Sequence, residues 1–135
     1  MNDLTSAALS IDLNDFVGEF GEELLDSLNR SNPPVYAGVT DHKRAAVMAS
    51  LKRQAFPAQA DVVQAIAALL LDRGEQAGVI NAEMGTGKTM MAIAVAAVLY
   101  REGYRRSLIV SPPHLVYKWR REILETVPDA RVWVL

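Results

Sequence analysis

The chain of 135 residues has no cysteine, which excludes a disulfide framework and any thiolate-bound metal. It also has no long hydrophobic run. The longest apolar stretch, Met90 to Tyr100, is eleven residues, well short of the ~20 that cross a bilayer. No apolar segment follows a basic start, so no secretory leader is expected, and the expectation is a cytoplasmic protein with no membrane partner. Aromatic residues make up only 7% of the chain and the formal net charge is −2. The overall charge balance therefore does not mark a nucleic-acid binder. Internal repeats and low-complexity tracts are absent as well.

What the chain does have is apolar content, at 50%, enough for one small core. It also has a charge gradient. Residues 1–30 hold seven acids against one base, and residues 101–135 hold seven bases against four acids. Such a gradient fits a basic face for phosphate and an acidic segment that packs elsewhere, and ordinary solvated surface charge accounts for it equally well.

Apolar spacing divides the chain into three parts. In residues 1–30, Leu9, Leu13, Phe16, Val17, Phe20, Leu24 and Leu28 recur at helical intervals with acids opposite. This predicts an amphipathic helix or a helix pair broken near Gly18 and Gly21. Ser31-Asn32-Pro33-Pro34 ends it, because proline lacks an amide donor and restricts its predecessor. Residues 31–52 then read as a linker followed by a basic helix over Asp41–Leu51. Residues 53–135 alternate. A helix opened by Phe56-Pro57 runs from Ala58 to about Leu71. A strand follows at 77–81, then a glycine-rich turn and an apolar helix over Lys88–Arg101. A second strand at 107–110, a helix over Leu115–Thr126 and a third strand at 131–135 complete the pattern. The predicted fold class is therefore α/β, an incomplete P-loop parallel sheet with flanking helices, preceded by an α-helical segment. A sheet of three strands leaves faces and edges uncovered. The expectation is that the chain is a truncated product or one piece of a longer protein.

Ala82-Glu83-Met84-Gly85-Thr86-Gly87-Lys88-Thr89 has the spacing of a phosphate-binding loop, with alanine for the first glycine. Gly85 and Gly87 let the backbone turn successive amides inward, and the helix that follows offers its free N–H groups to the same anion. The pattern implies ATP and Mg²⁺ as ligands. Lys88 would neutralise the β- and γ-phosphates, and the Thr89 hydroxyl would hold the metal. Ser111, His114 and neighbouring amides fall at a strand-to-helix turn on the carboxyl edge of the predicted sheet, where they can grip phosphate without reading sequence. His114 could equally cap its own turn. Lys118, Arg120 and Arg121 suit either phosphate contact or a solvated helix face, and Trp119 has the spacing of a core residue.

At this point the sequence resembles the superfamily 2 helicases, Swi/Snf-like or DEAD/DEAH-type, over about residues 53–135. Asn81 to Thr89 is similar to motif I of that family, with an acid and a methionine before Gly-x-Gly-Lys-Thr. The stretch Leu108 to Ile123, with its proline turn and Trp119-x-x-Glu122-Ile123, resembles motif Ia. Phe56-Pro57-Ala58-Gln59 resembles the glutamine motif. Thr86 stands where chromatin remodellers usually have leucine, which turns the resemblance toward bacterial or mobile-element helicase-like proteins. Residues 1–50 carry none of these motifs.

The resemblance implies a RecA-like lobe. Nucleotide would be bound by Gln59, Glu83, Met84, Gly85, Thr86, Gly87, Lys88 and Thr89, and Lys88 and Thr89 would be catalytic. Nucleic acid, DNA rather than RNA, would meet Ser111, Pro113, His114 and Lys118. A second RecA-like lobe would be the partner in a helicase or translocase that couples ATP hydrolysis to movement. The motif Ia pattern sets the chain apart from P-loop kinases and AAA-type ATPases. Hydrolysis also needs a carboxylate pair at a strand end, which the family supplies as Asp-Glu. No such pair follows an apolar strand here, and Glu22-Glu23 lies in a predicted helix. The chain alone is therefore expected to lack hydrolysis. The other class of function left open is a non-catalytic module whose acidic helix binds a partner.

Overall fold

The computed structural model describes residues 12–31 and 33–135. The chain divides into two units, Met1–Pro34 and Val35–Leu135, and each is described by itself.

Among the described residues of the first unit there is one helix, α1 (Leu13–Ser31). Asp12 starts it by accepting the Asn14 amide on its carboxylate at 2.8 Å, the usual service of an N-cap aspartate. At the other end the Ser31 hydroxyl donates to the Ser27 carbonyl at 2.8 Å. The helix runs unbroken through Gly18 and Gly21, the single helix and not the broken pair of the two alternatives. Glycine lowers helix stability by about 1 kcal/mol relative to alanine but does not by itself interrupt the hydrogen-bond ladder. Leu9, the first residue of the predicted pattern, lies outside the described residues.

The second unit is built on four helices. Asp41 opens α2 (His42–Ala49) by accepting the Arg44 amide at 2.9 Å, and that bond holds its carboxyl below the ordinary value. Pro57 opens α3 (Pro57–Ala67) at the position where a missing amide costs nothing. The same helix widens into a π-helical turn at Ala68–Asp72, where the Arg73 amide reaches back to the Ala68 carbonyl. Asp72 there forms a two-pronged ion pair with Arg44 of α2, one prong at 3.0 Å. The pair holds the Arg44 guanidinium above its ordinary pKa although burial opposes this. α4 (Lys88–Arg101) is the central element, and it packs against α2, α3 and α5 (Val116–Thr126).

Its apolar character on nearly all sides suits that position. Met90, Met91, Ala94, Val95 and Val98 meet Met48 and Leu51 from the α2 region and Val63 and Ala67 of α3 in one core. A strap ahead of α3 is pinned to α5. The Lys52 amide donates to the Thr126 carbonyl at 2.9 Å and its ammonium to the Leu124 carbonyl at 3.3 Å. Arg53 pairs with Glu122 at 3.5 Å.

No strand forms among the described residues, so the predicted parallel sheet is not observed. Residues 77–81, 107–110 and 131–135 are irregular connections, and no backbone hydrogen bond joins one of them to another. A strand exists only through its ladder, because its amides and carbonyls have no partners within the segment. Helix α4 is thus buried against helices and not, as expected, against a sheet. Leu108 and Val110, in the second predicted strand, are 80% and 89% exposed.

Candidate nucleotide-binding site

The glycine-rich turn enters α4 through Gly87, its N-cap, at φ +85°, two residues after Gly85 at φ +89°. Both lie in the left-handed region that side chains disfavour. Between them the chain doubles back. The Thr86 hydroxyl donates to the Glu83 carbonyl at 2.8 Å. Lys88, the first residue of α4, folds over the turn and donates from its ammonium to the carbonyls of Ala82 at 2.8 Å and Glu83 at 2.7 Å. Its positive charge is therefore held across the mouth of the loop, at the end of the helix that carries the positive dipole. Thr89 follows, half-buried, while Glu83 and Met84 are exposed.

Gln59 joins this loop from α3. Its amide nitrogen donates to the Thr86 carbonyl at 2.9 Å, and its amide oxygen accepts from the Phe56 backbone N–H at 3.0 Å. Both ends of the side chain are thus fixed, one to the start of its own helix and one to the turn. The contact is close enough that a Cβ placed on Gly87 would lie 2.4 Å from the Gln59 nitrogen. Reading the residues singled out Gln59 and missed the Phe56 amide. The available signal was a glutamine at the third helical position behind proline, where it can reach back to cap the helix start.

The second group of predicted residues stands apart. Pro113 and His114 lie in the 3₁₀ turn Pro113–Leu115 that leads into α5, and His114 is exposed. Ser111 makes only a long 3.4 Å contact with the Pro112 carbonyl. Lys118 lies 3.9 Å from Glu122, one helical turn on. Trp119 is half-buried, in keeping with its spacing. No hydrogen bond or ion pair among the described residues links these groups to the loop of Gly85 and Lys88. Glu122, not anticipated as a connection, is shared between Lys118 and Arg53 of the strap.

Among the described residues no group of three or more His, Cys, Asp or Glu side chains could hold a metal. A magnesium ion here would depend on the Thr89 hydroxyl and on phosphate oxygens and water, a donor set that suits it.

The family described as the res subunit of type III restriction enzymes matches residues 52–133, the span that holds Gln59, the loop and α5. The chain belongs to this family, and its relatives mark it as an N-terminal piece of a Swi/Snf-like superfamily 2 helicase. It is 32% identical to DNA excision repair protein CSB of Oryza sativa subsp. japonica over 137 residues, covering 99% of this chain and 10% of that protein. Over 59 residues it is 37% identical to Protein CHROMATIN REMODELING 8 of Arabidopsis thaliana, covering 43% of this chain and 5% of that one. It is also 43% identical over 56 residues to the human SWI/SNF-related matrix-associated actin-dependent regulator of chromatin subfamily A containing DEAD/H box 1, covering 41% and 6%. The chain thus spans a tenth or less of the length of these relatives. No solved structure matches it. Among the described residues no helix is long and apolar enough to cross a membrane.

Proposed function

We propose that residues 53–135 are the first part of a RecA-like lobe, the ATP-binding portion of a DNA-dependent helicase or translocase that acts in the cytoplasm. The observation that carries this reading is the loop itself, with two left-handed glycines, Lys88 held across its mouth and Gln59 clasping Thr86.

In this reading an incoming triphosphate takes the place of the Ala82 and Glu83 carbonyls at the Lys88 ammonium. The amides after Gly85 then face the phosphates, and Lys88 neutralises charge that builds on the transferred group. Thr89 offers its hydroxyl to magnesium, which when bound screens the phosphates. Glu83, Met84 and Thr86 border the nucleotide, and Gln59 stands where an adenine edge can be hydrogen-bonded. Ser111, Pro113, His114 and Lys118 hold a strand of DNA by its phosphates, without reading its bases. DNA is favoured over RNA by the relatives' names, which speak of DNA excision repair and chromatin. A second RecA-like lobe completes the site, and on its own the chain binds nucleotide without hydrolysing it.

The test is a Mg-ATP titration of the chain beside Lys88→Ala, followed by calorimetry. Saturable binding that the substitution weakens about tenfold or more (~1.4 kcal/mol) is the expected result. A folded chain that binds no nucleotide, or binds it equally well without Lys88, rejects the reading.

A further inference from the structure

We propose that α1 is a docking helix for a basic amphipathic helix of a partner protein. None of its residues is buried. Leu13, Phe16, Val17, Leu24 and Leu28 are exposed along one stripe, with the rings of Phe16 and Phe20 5.3 Å apart within it. A helix of 19 residues with two interior glycines is marginal in water without packing. What stabilises it is therefore cover on this stripe.

The two borders of the stripe say what kind of cover fits. At 3.6 residues per turn, Asp12, Asp15, Glu19, Glu22, Glu23 and Asp26 fall on one side, relieved only by Arg30, 3.7 Å from Asp26. The other side carries Asn14, Gly18, Gly21, Asn29 and the exposed Leu25, and no charge. A side chain at Gly18 would meet nothing, and one at Gly21 only Val17, and Leu25 extends the apolar strip onto this uncharged side. A second copy of α1 would set one row of carboxylates against another, and an anionic membrane would be repelled in the same way. The complementary surface is an apolar strip edged on one side by lysine or arginine. This reading of α1 does not depend on that of the nucleotide loop.

The full chain should be titrated, by fluorescence anisotropy, with two synthetic helical peptides. They share one leucine face and differ only in carrying lysine or glutamate beside it. The lysine peptide is expected to bind about tenfold or more tightly, to weaken as salt rises and to lose affinity for Leu24→Gln. The triple variant Asp15→Lys, Glu19→Lys, Glu22→Lys is expected to prefer the glutamate peptide, a gain that simple unfolding of α1 cannot produce. Lys88→Ala should bind as the parent does. Equal affinity for both peptides, binding of neither, or self-association of the chain through α1 in sedimentation equilibrium would each overturn the proposal.

Discussion

At the scale of single residues, Gly87 does two things that another residue cannot do together. It holds a left-handed φ at the start of α4, and it leaves room for the Gln59 amide beside Thr86. Gly85 shares the first property only, since a Cβ there would meet nothing. Gly87→Ala should therefore lose more than Gly85→Ala. Each is expected to lose roughly 1–2 kcal/mol from the backbone. In addition, Gly87→Ala should push Gln59 off the Thr86 carbonyl and weaken nucleotide binding further. Thermal melts and an ATP titration on both variants check this, and equal losses would show that Gln59 simply moves aside at no cost. The glycines were legible in the sequence because backbone geometry admits few other residues at such turns. The partner of Gln59 was not, since it lies 27 positions away and is chosen by how α3 leans on α4.

At the scale of elements, local signals placed the helices well. Proline at its start set α3, and the alanine-rich apolar run over Lys88–Arg101 is α4 with the same bounds. The π-helical turn had no local signature, and its last residue, Asp72, has its ion-pair partner Arg44 on another element. The strands failed for a related reason, since an apolar β-branched run becomes a strand only where a neighbour completes its ladder. Asp41 supplies a test at this scale. Its carboxyl is held below the ordinary value by the Arg44 amide, so its contribution is complete above the unfolded-chain pKa of about 3.9. That contribution fades as pH falls through the lower folded value. Asp41→Asn keeps a good cap and should leave neutral-pH stability nearly unchanged while flattening the acid side of the pH–stability curve. Denaturant melts over that range measure it, and an unaltered curve would show that the cap does not titrate with folding.

At the scale of the whole molecule, the second unit exposes to water the charged exterior of α5 and, separately, the apolar connections at 77–81, 107–110 and 131–135. Exposed apolar segments with unpaired backbone invite association. Leu108→Lys with Val110→Lys should therefore raise the concentration at which the chain begins to associate, seen by light scattering, without lowering the melting temperature. A fall in melting temperature would mean that these side chains are covered in solution. The strap at Lys52 and Arg53 bears on the same unit. Its bonds to Thr126, Leu124 and Glu122 tie residues 52 and 126 together like the neck of a drawstring bag. Gln59, the glycine turn and the Pro113–Leu115 turn all hang inside it. Slack at that neck would reach all three at once.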